Sequence, residues 1–213
     1  MSSELELLDW KRHVFALYQR VRAAEDPESA WRDWRATRDE LFARHPQSPL
    51  QPAGREAFTG LDYFDYDPSL RLRSEVAKAE PKRYEIGTSG DGAYAFARFA
   101  TAQFELAGEK RSLELYWLEG YGGGLFLPFA DATSATETYG AGRYLYDTVK
   151  GADLGTDGEG PILDFNFAYN PSCSYDPSWV CPLATPANRL AVPIRAGERF
   201  GPVGATEPDP GAE

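Results

Sequence analysis

The sequence predicts a mainly β fold: a curled antiparallel sheet or barrel that carries two N-terminal α-helices. Three observations lead to this prediction. Apolar residues recur every three or four positions in the first 45 residues, which is the helical period. From residue 58 the period changes to two, and short apolar segments alternate with turn formers, as in antiparallel strands. The chain is also rich in strand and turn formers, with 12 Tyr, 12 Phe, 20 Gly and 16 Pro among 213 residues.

The two predicted helices form a hairpin over residues 1–45. The first carries an apolar stripe made by Leu7, Trp10, Val14, Leu17, Tyr18 and Val21. The second is expected to begin at Asp26, which can cap it, with Pro27 in the first helical position. His45 and Pro46 then end this helix, and His45 is either a cap of its last turn or an acid–base group.

Strands are predicted near residues 61–67, 70–77, 82–87, 93–106, 111–119 and 124–129, and then near 143–147, 162–169 and 189–195. The first group has short connections, so its neighbours should be antiparallel. A strand as long as 93–106 curls, and closure into a barrel or into two layers would remove exposed edges. We therefore expect a single domain over 1–200, with its β part at 58–199, and an acidic flexible tail over 201–213.

The net charge of −11 argues against nucleic acid and anionic membranes as partners, because an acidic surface repels both. No apolar run reaches the length that crosses a bilayer. The N-terminal segment MSSELELLDWKRHV lacks the basic and apolar regions of a signal peptide. We therefore expect a cytoplasmic protein whose two cysteines are reduced.

The segment ILDFNFAYN combines alternating aromatic and polar residues. If it is a strand, Phe165 and Phe167 face the core, while Asp164, Asn166 and Asn170 form a polar row on the opposite face. Such a row in the mouth of a barrel could bind a polar ligand, with Asp164 as general acid or base. The alternative is that these side chains are solvated or hold neighbouring loops in place.

Arg143 stands in YGAGRYLY, directly after Gly140 and Gly142. Glycines allow close approach of a bound anion or of another chain segment, and a guanidinium can hold a carboxylate or phosphate with two hydrogen bonds. The alternative is an internal ion pair with Asp131, Asp147 or Asp164, which is the more frequent role of such a residue. We expect Arg143 and Asp164 to belong to one polar site.

Cys173 and Cys181 are the two cysteines of the chain, and their spacing is not that of a CxxC redox motif. Together with the two histidines they do not complete a familiar zinc site. They could close a disulfide, or Cys173 could act as a nucleophile beside a base. Packing or structural roles are more common for cysteines that lack such a partner.

Several segments resemble an uncharacterised family, domain of unknown function 1684. The resemblance rests on RDELFARHPQSPL, GLDYFDYDP, LPFADATSATETYGAGRYL and ILDFNFAYNPSCSYDPSWVCPLATPANRLAVPIRAGE. It covers most of residues 31–199, and Ala141 between the two glycines is one departure from it. The resemblance implies no activity, cofactor or catalytic residue.

The leading functional hypothesis is binding of a small polar or anionic molecule in a β-barrel pocket, with acid–base chemistry as an extension. Arg143, Asn166, Tyr169 and Asn170 would bind the ligand, and Asp164 would be the catalytic group. One alternative is a thiol-dependent enzyme or redox protein that uses Cys173 and Cys181. Another is a protein interaction module without catalysis. The sequence leaves any cofactor unknown and predicts no metal site.

Overall fold

A computed structural model describes residues 2–87 and 93–200 of the chain. It begins with a hairpin of two helices, α1 (Ser3–Ala23) and α2 (Pro27–Arg44), followed by the short α3 (Pro52–Glu56). The Asp26 carboxylate accepts the backbone N–H groups of residues 28 and 29 at 3.2 and 3.3 Å, which fixes the start of α2. The predicted helical hairpin is therefore confirmed. The predicted tail over 201–213 lies outside the described residues.

The strands of the described residues are β1 (Arg71–Leu72), β2 (Glu75–Gly87), β3 (Ala93–Leu106), β4 (Glu109–Leu118), β5 (Leu125–Phe129), β6 (Arg143–Asp147) and β7 (Leu163–Asp164). Five of them form an antiparallel meander in the order β2-β3-β4-β5-β6, and β1 pairs with β7 in a second sheet. The mainly β class is confirmed. Within residues 2–87 and 93–200, β2 does not pair with β6, so the sheet is open and no closed barrel is found.

Residues 75–87 form one strand where two were predicted. The pairing of β2 with β3 shifts between Lys78 and Lys82, next to Pro81, which has no N–H for the ladder. A proline is tolerated here because β2 is an edge strand and the shift is a bulge. The long β2 and β3 therefore stay paired on both sides of the irregularity.

Three predicted strands are wrong. Residues 162–169 contain only the two-residue β7, because the Asp164 carboxylate accepts the N–H of Asn166 and turns the chain into a 3-10 helix at Phe165–Phe167. Residues 61–67 make a single bridge, from Tyr63 to Glu198, and residues 189–195 make one from Arg189 to Ala130. Local side-chain bonds and isolated bridges replace regular ladders in these segments.

The main core lies between the sheet and the helical hairpin. Leu17 and Trp34 of the helices pack there with Leu113 and Leu127 of the sheet and with Phe167. The turn at residues 165–167 buries both aromatic rings, since Phe165 and Phe167 are 0% and 2% exposed. The prediction that these two rings are core residues is confirmed. No helix among the described residues combines the length and the apolar character needed to span a bilayer.

Replacement of Phe165 by alanine should destabilise the fold by about 3–5 kcal/mol, because it removes a fully buried ring and leaves a cavity. The ring contacts Phe104 and Phe129 at centroid distances of 6.1 and 5.0 Å. Denaturant midpoints at constant slope measure the loss of unfolding free energy. The matched control is Phe99→Ala on β3, where the ring is 45% exposed and the loss should be below about 1 kcal/mol. Equal losses in the two variants would contradict the assigned core.

Candidate functional site

Arg143 forms an internal ion pair with Asp131, one of the three partners considered for it. Its guanidinium is 1% exposed, and Nη2 donates to Asp131 Oδ2 at 2.9 Å. The same guanidinium donates to the backbone carbonyls of Ile194, Ala196 and Glu198, at 2.9, 2.5 and 3.1 Å. Burial lowers the pKa of Arg143, and the charge of Asp131 opposes this effect. These contacts agree with the ion-pair alternative, and a role in binding a ligand stays a prediction.

Gly142 allows the backbone of Phe129 to approach closely. Its φ is +95°, and a Cβ here would lie 2.5 Å from the Phe129 carbonyl oxygen. A residue with a side chain would therefore push β6 away from β5 and shift Arg143. The glycines before Arg143 were expected to admit either a bound anion or another chain segment. The contact of Gly142 with Phe129 agrees with the second role.

Asp164 and Asn166 belong to a different place in the fold, beside β1. Asp164 Oδ1 accepts the Asn166 side-chain amide at 2.9 Å, and Asp164 Oδ2 lies 3.4 Å from Arg71 Nη1. The Asn166 amide also donates to and accepts from the backbone of Asp67, at 2.8 Å in both cases. Burial raises the pKa of Asp164. Asp164 lines a cavity of about 60 Å³.

The expected polar row on one strand face is wrong, because the strand ends at Asp164 and the amides fold back on the chain. Within the described residues, no hydrogen bond or ion pair joins Arg143 to Asp164: the first pairs with Asp131 and the second with Arg71. The two residues therefore hold different loops in place.

Tyr169 and Asn170 lie beside a buried ion pair that the sequence did not reveal. Arg38 of α2 donates from Nη2 to Glu198 Oε2 at 2.7 Å, and the Asn170 N–H donates to the same oxygen at 3.0 Å. Arg38 Nε donates to the Tyr63 hydroxyl at 3.0 Å. The Glu198 side chain is 1% exposed. A charge pair removed from water in this way is stable only when each partner is also hydrogen-bonded.

Aromatic rings surround the Arg38 guanidinium. Its central carbon lies 4.8 Å from the ring centroid of Trp34, and 5.2 Å from those of Phe42 and Tyr169. Such rings attract a cation and keep water away from it. We call the group formed by these residues the Arg38–Glu198 cluster; it consists of Tyr18, Trp34, Arg38, Tyr63, Tyr169, Asn170 and Glu198.

Seven buried side-chain polar atoms of the described residues make no hydrogen bond, and three of them belong to this cluster. They are the Tyr18 hydroxyl, Trp34 Nε1 and Asn170 Oδ1. The Trp34 indole is near enough to the Tyr18 hydroxyl to lower its pKa, but the two groups make no hydrogen bond of good geometry. An unsatisfied buried polar group costs about 1–3 kcal/mol, so such atoms mark places where a further polar molecule would be stabilised.

Burial raises the pKa of Glu198 to about 7, although Arg38, the Asn170 amide and Arg143 all favour its charged form. A carboxyl with a pKa near neutrality can both accept and donate a proton at physiological pH. Burial likewise raises the pKa of Tyr18 to about 12, against the effect of Arg38. The phenol therefore stays protonated and remains a hydrogen-bond donor.

The sequence contains a signal for Arg38 but none for Glu198. Arg38 occupies the helical stripe set by Trp31, Trp34 and Leu41, so a charged residue falls on the apolar face of α2. Such a residue must find a buried partner. Glu198 stands near the end of the described chain with no periodic pattern around it, and its pairing with Arg38 spans 160 positions.

Cys173 and Cys181 lie together in a small buried cluster with Tyr139. The Cys173 N–H donates to Cys181 Sγ at 3.4 Å, and the Tyr139 hydroxyl lies 3.8 Å from Cys173 Sγ. A hydrogen bond with the Cys173 thiol, together with burial, raises the pKa of Cys181. A raised pKa leaves little thiolate at neutral pH, and the thiolate is the reactive form.

Two open grooves lie along the main sheet. One has a volume of about 600 Å³ and is bounded by residues 73–75, 103–105 and 110–112. The other, of about 440 Å³, lies between residues 82–86 and 183–187. The Tyr116 hydroxyl behind the second groove already pairs with Glu114 and Thr185, at 2.8 and 2.6 Å. This network is satisfied by protein groups and does not call for a ligand.

Stability should fall with rising pH because of Glu198. Its pKa is about 7 in the folded protein, whereas an ordinary glutamate has a pKa of 4.5. The folded state binds the proton more tightly than the unfolded chain, so the contribution is complete below pH 4.5 and is lost as the pH rises to about 7. The full window corresponds to roughly 3 kcal/mol.

Urea unfolding at pH values from about 5 to about 8 measures this effect for the native protein and for Glu198→Gln, which cannot titrate. The native protein should lose more stability across the window than the variant. The exposed carboxylate variant Glu85→Gln should follow the native protein. Identical slopes for the native protein and Glu198→Gln would show that Glu198 does not take up the proton.

Both cysteines should be thiols in freshly isolated protein, and both should react slowly in the folded state because they are buried. Alkylation followed by mass spectrometry should detect two labelled residues after unfolding without a reductant. Slow labelling before unfolding would reflect the raised pKa of Cys181. A chain that takes up no label until it is reduced would contradict this prediction and indicate a disulfide.

Comparison with known proteins identifies relatives but no activity. A solution NMR structure of an uncharacterised protein from Haloarcula marismortui is 36% identical and has a TM-score of 0.60. The similarity covers 84% of this chain and 97% of the other. No protein of the curated set matches the chain. A family model described as "Protein of unknown function (DUF1684)" matches residues 56–199, which is more than half of the chain, and the protein therefore belongs to the DUF1684 family.

Proposed function

We propose that this protein binds a small polar molecule at the Arg38–Glu198 cluster. The observation that carries the proposal is the pair of buried polar atoms without a partner, the Tyr18 hydroxyl and Asn170 Oδ1, beside a buried ion pair. A donor on the ligand would satisfy the Asn170 oxygen, and an acceptor would receive a hydrogen bond from the Tyr18 hydroxyl. A hydroxyl or amide compound has both groups.

The charges of the cluster favour a neutral ligand when Glu198 is ionised. Arg38 is then paired with Glu198, and Arg143 is paired with Asp131. An anion would compete with the Glu198 carboxylate for Arg38. Once that carboxylate takes up a proton, its negative charge is lost and Arg38 can pair with a bound anion. Because the pKa of Glu198 is about 7, this uptake is accessible near neutral pH. Binding of an anion would therefore consume a proton, whereas binding of a neutral molecule would not.

Acid–base chemistry would use Glu198 in this proposal. Its carboxyl has the pKa that suits proton transfer at neutral pH, and Arg38 and the Asn170 amide fix its orientation. Among the residues proposed from the sequence, Tyr169 and Asn170 belong to the cluster, and Arg143 supports it through the Glu198 carbonyl. Asp164 and Asn166, with their bonds to Arg71 and to the Asp67 backbone, would be structural.

The interaction module is a second candidate function. Phe99 and Trp117 are exposed on neighbouring strands, with ring centroids 6.4 Å apart, and Val76 is also exposed. Exposed aromatic side chains of this kind are frequent in protein interfaces. The thiol alternative has less support, because burial and a raised pKa reduce the reactivity of Cys181.

The Tyr18→Phe variant tests whether a bound molecule satisfies the hydroxyl. Unfolding free energies should be compared for protein as purified and for protein stripped of small molecules by unfolding, dialysis and refolding. With a ligand bound, loss of the hydroxyl should destabilise the purified protein by about 1 kcal/mol or more. In stripped protein the same change should be neutral or stabilising, because it removes an unsatisfied polar group.

The exposed tyrosine variant Tyr94→Phe is the matched control and should behave alike in both preparations. Mass spectrometry of the filtrate from unfolded native protein should identify the released compound, and the Tyr18→Phe filtrate should contain less of it. If Tyr18→Phe has the same effect in both preparations and the filtrates contain no common compound, the proposed function is wrong. Water would then be the partner of the hydroxyl.

A further inference from the structure

The two histidines of the chain meet at one carboxylate. Asp9 and His13 are four positions apart on α1, so their side chains share one helix face, and His45 follows the last residue of α2. Asp9 Oδ2 lies 3.4 Å from His45 Nε2 and 3.7 Å from His13 Nδ1. One ligand atom from each of the three residues lies within 4.8 Å of the other two. The histidine rings are 5.9 Å apart between centroids.

We propose that Asp9, His13 and His45 bind one divalent transition-metal cation, with Zn²⁺ as the ion that best fits the donors. Two imidazole nitrogens and one carboxylate oxygen form a common three-ligand set for Zn²⁺. Mg²⁺ and Ca²⁺ are disfavoured, because they prefer ligand sets made of oxygen atoms. This inference goes beyond the proposed function, since it concerns other residues and another ligand.

The site has room for the remaining coordination positions. His13 and His45 both line an open groove of about 300 Å³, which also borders Thr37, Glu40 and Arg44 but not Asp9. Three-ligand zinc sites keep a further position for water or substrate, and an open cavity beside both imidazoles permits this. The His45 side chain is 8% exposed, whereas those of His13 and Asp9 are 52% and 49% exposed. The inner ligand is therefore fixed, and the two outer ligands can rotate to metal–ligand distances of about 2.0–2.2 Å.

The two imidazoles differ in which ring nitrogen carries the proton, and a metal binds only the nitrogen that keeps its lone pair. His13 Nδ1 lies 2.9 Å from the Asp9 carbonyl oxygen, which can only accept, so this nitrogen carries the proton and Nε2 keeps its lone pair. Metal-bound histidines usually donate their second N–H in this way, so His13 would bind the metal through Nε2. The nitrogen that lies 3.7 Å from the Asp9 carboxylate is Nδ1, so the His13 ring, which is 52% exposed, has to turn its Nε2 towards that carboxylate. His45 Nδ1 accepts the Gln47 N–H at 3.0 Å, so its proton lies on Nε2 and faces Asp9.

Metal binding at His45 Nε2 must therefore move the His45 proton to Nδ1 and open the contact with the Gln47 N–H. The protein gains a metal–nitrogen bond and loses one hydrogen bond between neutral groups. Backbone amide signals provide a readout that does not depend on any activity. The Gln47 N–H resonance should shift when the metal binds.

The test uses full-length protein without a histidine tag, freed of metal with a chelator. Zn²⁺ is titrated by calorimetry, and Co²⁺ is titrated by visible absorption. We expect one ion per chain and a Co²⁺ spectrum of nitrogen and oxygen ligation. Loss of a supporting group typically lowers metal affinity about 10–100-fold, so loss of a ligand in His13→Gln should lower it at least 100-fold. His13 is exposed, so this variant should remain folded.

Asp9→Asn and His45→Gln should weaken Zn²⁺ binding as well, and the Gln47 shift should disappear in both variants. The matched control is the double variant Cys173→Ser, Cys181→Ser, which removes the thiols and should leave Zn²⁺ binding unchanged. Absence of Zn²⁺ binding by the native protein would overturn the proposal. Binding that survives in His13→Gln, or that is lost in the cysteine variant, would overturn it too. Tyr18→Phe should bind Zn²⁺ normally, so this result is separate from that of the proposed function.

Discussion

Two buried arginines, Arg38 and Arg143, hold residues 194–198 in place, and the Arg38–Glu198 cluster depends on them. Residues 194–198 form no regular ladder, so their carbonyl groups need other donors once they are buried. Arg143 supplies these donors to the carbonyls of Ile194, Ala196 and Glu198, while Asp131 balances its charge. Arg38 then binds the Glu198 side chain. One guanidinium thus fixes the backbone of the segment, and the other fixes its carboxylate to α2.

This arrangement explains why polar atoms without partners gather beside the ion pair. The aromatic rings of Trp34 and Tyr169 pack around Arg38 and bury the Arg38–Glu198 pair, which strengthens its attraction but costs both groups their hydration. The same surrounding buries the Tyr18 hydroxyl and Asn170 Oδ1, which find no hydrogen-bond partner among the described protein groups. Burial also moves the pKa of Glu198 towards neutrality. The features that make the cluster a candidate binding site therefore have one physical cause, the removal of a charge pair from water.

The Arg38–Glu198 cluster lies partly within the residues that match the family model, whereas the proposed metal site lies outside them. The matched residues 56–199 include Asn170 and Glu198, but Arg38 lies in α2, before the match begins. The ion pair therefore joins the part that matches the family to the helical hairpin. Asp9, His13 and His45 all lie before residue 56. The metal proposal consequently concerns the helical hairpin of this chain.

The sequence by itself determined the helical hairpin and the meander, because these follow from local periodicity and from the Asp26 cap. The burial of Phe165 and Phe167 was also predicted, although a 3-10 turn buries both rings in place of the expected strand. It did not determine the end of β7, where the Asn166 N–H donates to the Asp164 carboxylate in place of a ladder hydrogen bond. Only the tertiary structure decided the partners of the buried charges. Arg38 and Glu198 are 160 positions apart, and His13 meets His45 only because α1 and α2 pack together. Such pairings depend on how elements pack in space, and the period of a sequence carries no information about distant partners.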